Sequence, residues 1–142
     1  MILVAIGGSK ETDSSASDVI KFKYETYNNK KKRWDPHNGS ADAKITGYVE
    51  ENADSTFYIE GKSVAVVGGK TNESYDSTLS YSGRLKSVNP PKSGQGQGQI
   101  SSGSTKLFYK DQSIGFVGSS VKTMFGNNTV IETGCTKVFV SS

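Results

Sequence analysis

One cysteine, one histidine, one tryptophan and three prolines are all that these types contribute to 142 residues. A lone cysteine excludes an internal disulfide, and with it the multiply stapled small secreted domain. A lone histidine leaves few catalytic constellations. No Cys and His share a segment, no phosphate-cradling glycine loop precedes a helix, and Glu50, Glu51, Asp54 and Asp111 have no diagnostic spacing. No enzyme is expected. Apolar residues are scarce as well, 33% against 22% charged, so one thin core is the most such a chain can build. Residues 1–8 are apolar but too few for a membrane span, and without a positive leader they do not read as a signal peptide. The formal charge is only +3, and the run Lys30-Lys31-Lys32-Arg33 accounts for much of it, so no specific nucleic acid is implied.

What is abundant is glycine, 16 residues, together with Ser, Thr and Asn, which favour turns over long regular elements. The expected class is all-β. The informative feature is a repeat. Phe57 to Gly68 returns at a constant offset as Leu107 to Gly118, each copy reading as strand, turn and strand. Leu3-Val4-Ala5-Ile6-Gly7-Gly8 matches the second half of the unit, and Thr136-Lys137-Val138-Phe139-Val140 the first. Head and tail together therefore make up a third copy, and the chain is expected to trace a ring-like, threefold object.

The repeated scaffold covers about 1–8, 45–69 and 100–140 of a single domain, 1–142. Two long connections, 9–44 and 70–99, are loop insertions, expected to be functional or partly ordered because structureless loops of that length are uncommon. Within the second, Ser93-Gly94-Gln95-Gly96-Gln97-Gly98-Gln99 after Pro90-Pro91 reads as a flexible tether on a stiff step. Within the first, Ile20, Phe22 and Tyr24 alternate with polar residues, which predicts an added edge strand.

The order apolar-Gly-Gly, long loop, Ile100-Ser101-Ser102-Gly103-Ser104-Thr105-Lys106-Leu107-Phe108, turn, apolar-Gly, echoed by Ile131 to Phe139, resembles the PAAR-repeat proteins that cap contractile injection machines. The name-giving tetrapeptide is replaced by Ser63-Val64-Ala65-Val66 and Ser113-Ile114-Gly115-Phe116, so the chain is similar to a diverged, PAAR-like member. The resemblance implies a small cone of three β-hairpin facets. It implies docking, one chain per trimer, on a trimeric β-helical spike, with cargo or a receptor held through the long loops. The facet and docking residues it points to are Phe57, Ile59, Val64 and Val67 in one copy. Leu107, Tyr109, Ile114 and Val117 are their counterparts in the next, with Val138 and Val140 in the third. Replacing Phe108 or Val138 is expected to abolish folding.

In that family a metal held by loop histidines and a cysteine pins the cone near its apex. This chain has only His37, read as a solvated loop residue, and Cys135 stands where the preceding copy has Ser104. Three or four convergent ligands are lacking, so neither metal nor cofactor is expected. Met124 and Phe125 are candidates for an apolar plug beneath the apex, or close the upper core as single aromatics do. Lys30, Lys31, Lys32, Arg33 and Trp34 combine clustered cations with an indole, a composition suited either to an anionic surface or to a solvated loop tip.

The expected function is that of a non-enzymatic tip that sharpens the spike of a phage tail or injection particle. It would be made in the cytoplasm and deployed against a target-cell envelope. The alternative is a stand-alone β-rich module binding anionic polymers or lipids through the basic-aromatic loop. A small hydrolase with its site in 9–44 is a weaker third reading.

Overall fold

The computed structural model describes residues 2–140, apart from the Val140 side chain, and every regular element among them is a β-strand. In chain order these are β1 (Ile2–Leu3), β2 (Ser14–Asn28), β3 (Arg33–Val49), β4 (Tyr58–Ile59), β5 (Lys62–Ser63), β6 (Lys70–Ser77) and β7 (Arg84–Asn89). They continue as β8 (Ser93–Ile100), β9 (Phe108–Tyr109), β10 (Gln112–Ser113), β11 (Ser120–Lys122), β12 (Asn128–Val130) and β13 (Phe139–Val140). The all-β class is the one the turn-rich composition calls for.

Three two-residue antiparallel pairs form one end of the molecule: β4 with β5, β9 with β10, and β1 with β13. The last joins the two ends of the chain, Ile2 facing Val140 and Leu3 facing Phe139. Glu60-Gly61 and Lys110-Asp111 turn the other two with positive φ at all four residues. Only Gly61 takes such angles without a steric cost.

The segments that leave these hairpins hydrogen-bond one another in a closed ring. Ala5 N–H donates to Gly115 C=O (3.0 Å), Gly115 N–H to Ala65 C=O (2.8 Å), and Ala65 N–H to Ala5 C=O (3.0 Å). The bridges Val4 with Phe116, Ile6 with Val64, and Val66 with Ile114 run round the same circle. So do the bonds from Gly7 to Ser63, Val67 to Ser113 and Val117 to Leu3. Val4, Ile6, Ile59, Val64, Val66 and Ile114 form the core of this end, with Cys135 buried among them.

Beyond the ring lies a seven-stranded antiparallel sheet of order β12-β11-β8-β6-β3-β2-β7. Its lower part closes on itself. Residues 9–12 bond β3 on one side, Glu11 N–H to Gly47 C=O (3.0 Å) and Val49 N–H to Ser9 C=O (2.8 Å). On the other side they meet β12, Thr12 N–H donating to Val130 C=O (2.8 Å). The result is a short closed barrel, an arrangement that reduces exposed sheet edges, while β7 is left as the edge of the sheet beyond it. Ala5, Val49, Ala65, Ile100, Val121 and Ile131 fill the space where barrel and ring meet.

Three expectations about the connections are corrected. Residues 9–44 and 70–99 are not loops: they supply β2, most of β3, and β6 to β8. Ser93 to Gln99 is not a tether but the interior strand β8, paired with β6 and β11. Its alternation is of period two, gaps inward and amides outward: Gly94 lies against the Tyr75 ring, Gly96 against Met124, and Gly98 against Glu73. Gln97 on the outside bonds Asn72 at 3.0 Å. Polar composition suggested a linker, whereas the side chains on the neighbouring strands need the room that only glycine leaves. The added strand over residues 18–27 is present as part of β2, yet β7 covers it, so β2 is not the edge. The upper halves of β2 and β3 rise past the barrel as an arm, with Ile20, Phe22, Ala41, Ala43, Ile45 and Tyr75 as its core.

Candidate docking surface

At the hairpin end, the sequence repeat places pairs of apolar residues at corresponding positions: Phe57-Tyr58, Leu107-Phe108 and Val138-Phe139. The first of each pair offers its carbonyl to the next segment: Val64 N–H to Phe57, Ile114 N–H to Leu107 and Val4 N–H to Val138, each at 3.0 Å. Their side chains are exposed: 38% and 55%, 42% and 57%, 40% and 47% respectively. Single exposed apolar residues are ordinary, but six at corresponding positions of three hairpins make this end the candidate for an interaction surface.

The residues singled out from the repeat therefore divide. Ile59, Val64 and Ile114 are buried in the core of the hairpin end. Val67, Tyr109 and Val117 are half-buried. Phe57, Leu107 and Val138 face outward. Val140 pairs with Ile2 through its backbone, and its side chain lies outside the described residues. The expectation that replacing Phe108 or Val138 abolishes folding is corrected, because neither side chain is part of the core. Tyr109 links neighbouring hairpins: its ring meets Phe57 edge-on at 5.8 Å, and its oxygen accepts the Thr56 N–H at 2.7 Å. Bonds from the Thr56 hydroxyl and amide pull the phenol down to about 8.

Cys135 holds the place of Ser104. Cys135 N–H donates to Val4 C=O and Ser104 N–H to Ile114 C=O, both at 2.8 Å. The thiol then bonds Val138 C=O at 3.1 Å, where the Ser104 hydroxyl instead accepts the Lys106 and Leu107 amides at 3.1 Å.

Met124 and Phe125 belong to the turn between β11 and β12. Phe125 meets Tyr75 edge-on at 4.9 Å, and Met124 N–H donates to Glu73 Oε1 at 2.7 Å. Both side chains pack against the core of the arm. His37 sits on β3, not in a loop, with its ring stacked on Tyr24 at 5.1 Å and Nε2 within 2.8 Å of Thr26 Oγ1. Lys30 to Lys32 form the turn at the tip of the arm, and Trp34 lies on β3 beneath the Arg84 guanidinium, 4.0 Å away.

The buried carboxyl pair Glu11 and Glu73 had no counterpart in the sequence reading. Glu11 is fully buried, and neither of its carboxyl oxygens has a hydrogen-bond partner. Glu73 accepts from Thr71 Oγ1 (3.1 Å) and Met124 N–H. Across the sheet Glu73 stands between Gly47 and Gly96; Gly47 leaves space for both acids, and Gly98 leaves space for the Glu73 carboxyl. Burial first, and the adjacent Glu73 carboxyl second, push Glu11 up to about 8. An open cleft of about 580 Å³ borders Glu73, with Lys10, Tyr48 and Gln95 among its walls. Among the described residues no group of three His, Cys, Asp or Glu side chains is placed to hold a metal ion.

No family model, curated protein or solved structure matches this chain.

Proposed function

We propose that the chain is a structural cap that docks through its hairpin end on a trimeric, β-helical partner, one chain per trimer, as the tip of a contractile tail or injection particle. One observation carries the reading: the exposed pairs Phe57-Tyr58, Leu107-Phe108 and Val138-Phe139 recur around a ring of backbone bonds. A single chain that offers three corresponding apolar edges suits a partner with three identical strand ends, whose exposed backbone edges and apolar rims need cover. The sequence resemblance to PAAR-repeat proteins supports the same geometry. The closed barrel behind the ring suits a part that bears load, because the strands of its wall are held on both sides.

The reading is tested by mixing the purified chain with a trimeric β-helical spike protein from a contractile tail and measuring mass by light scattering. A complex of one chain per trimer is expected, lost in the triple variant Tyr58→Ser, Phe108→Ser, Phe139→Ser. Absence of a complex with spikes taken from the chain's own genomic neighbourhood would refute it.

A further inference from the structure

We propose that the outer face of the β2–β3 arm, together with β7, binds an extended phosphate-bearing polysaccharide. The inference does not rest on the cap reading, since it concerns a different part of the molecule.

Charge is segregated onto this arm. Residues 14–49 hold seven Lys and Arg against four Asp and Glu, a surplus equal to the formal +3 of the whole chain. With Arg84 and Lys86 of the neighbouring β7 the count is nine against four, which leaves eight against ten for the rest. The acids on the arm are already engaged. Glu25 takes Arg84 at 2.7 Å and Lys86 at 3.9 Å, and Asp35 takes Arg33 at 3.1 Å and Asn28 at 3.0 Å. Asp18 accepts the Ser40 hydroxyl at 3.0 Å, and Asp42 the Asp18 amide at 3.0 Å. Lys21, Lys23, Lys30, Lys31 and Lys32 are exposed and form no ion pair among the described residues.

Strand geometry sets Lys21 and Lys23 side by side on one face, and Lys30 to Lys32 follow in the turn at the tip. Lys21, Lys23, Glu25 and Tyr27 share one face of β2, opposite Ser40, Asn38, Pro36 and Trp34 of β3. Alternate residues on a strand stand about 7 Å apart, and the run from Lys21 to the turn at Lys30 spans roughly 30 Å. Cations spread along such a length meet a linear polyanion better than a compact ligand.

The aromatics distinguish among polyanions. Trp34 lies under Arg84 and packs at a tilt against Tyr27, 5.4 Å away, so a base could stack on the Arg84 side of the indole only by displacing the guanidinium. The turn from Asn29 to Lys32 is wholly polar, and the aromatics nearest to it, Tyr27 and Trp34, pack against each other, so the turn itself has no apolar side chain to insert into a bilayer. A sugar-phosphate chain needs neither.

The probe is purified phosphomannan, a polysaccharide that carries phosphodiesters, titrated against the full chain at several salt concentrations, beside a thymidine oligonucleotide and anionic phosphatidylserine vesicles. The expected result is binding to the polymer that weakens steeply with salt. Replacing Lys21, Lys23, Lys30, Lys31 and Lys32 together by Gln should weaken it about tenfold or more and flatten the salt dependence, with the melting temperature unchanged. A variant with Asp111 and Glu132 changed to Gln serves as the control and should bind as the parent does. No binding to the polymer, equal binding by the lysine variant, or tighter binding to the oligonucleotide or the vesicles would overturn the proposal.

Discussion

The Gly115 amide donates to the Ala65 carbonyl at 2.8 Å, and a methyl group placed on Gly115 would rest 3.6 Å from the Ala65 Cβ. That is ordinary contact, and Ala5 Cβ would stand at 3.8 Å, so the centre of the ring has room for three methyls and little else. Gly115→Ala should therefore be tolerated within about 0.5 kcal/mol, the lost backbone freedom of the unfolded chain offsetting any crowding. Ala65→Leu, by contrast, should cost about 1–3 kcal/mol through overpacking. Urea unfolding of the two variants measures the difference. A large loss for Gly115→Ala would mean that the ring is tighter than the distances say.

The glycines of β8 should not be equivalent. A Cβ on Gly98 would fall 2.6 Å from the Lys122 backbone oxygen, whereas one on Gly96 would meet chiefly the Met124 side chain, Cε at 2.4 Å and Sδ at 2.8 Å. A methionine tail can swing aside but a paired strand cannot. Gly98→Ala should cost about 2–3 kcal/mol and Gly96→Ala about 1 kcal/mol or less, again by denaturant unfolding.

Glu11 makes stability depend on pH. Its folded carboxyl titrates at about 8 against an ordinary 4.5, so between those values the folded chain holds a proton that the unfolded chain has released. Stability from this group is full below about 4.5, falls by at most about 1.4 kcal/mol per pH unit as pH rises, and levels off above 8. Glu11→Gln mimics the protonated form. It should melt close to the parent at pH 4.5 and several degrees above it at pH 8, with a flatter profile in thermal melts across that range.

Exposed and buried positions of the hairpin end should separate binding from folding. Phe108→Ser and Phe139→Ser should each change stability by no more than about 0.5 kcal/mol, since their rings stand in solvent. Ile114→Ala, at a buried site of the same unit, should cost about 2–5 kcal/mol. Thermal melts distinguish the two sets before any partner is added.

The repeat was legible because it is written in short apolar runs and paired glycines, and the sites it marks, Ile59, Val64 and Ile114, are core. The pairing of head and tail was legible for the same reason: Ile2 and Leu3 meet Val140 and Phe139. The two long connections were misjudged because their strands carry little hydrophobic signal. Ser93 to Gln99 contains no apolar side chain at all, and its place in the sheet depends on Tyr75, Met124 and Glu73, which lie elsewhere in the chain. Glu11 was invisible for a related reason. An acid between Lys10 and Thr12 reads as surface, and only closure of residues 9–12 against β3 and β12 puts it inside.

The bond between β1 and β13 brings the first and last described strands side by side, so the hairpin they form differs from the other two chiefly in lacking a covalent turn. A circularly permuted chain, with a short linker joining the present ends and a cut between Glu60 and Gly61, would move the opening to another hairpin and leave the pairing of all three unchanged. Any domain fused at either end of the original chain would emerge at that one corner of the ring.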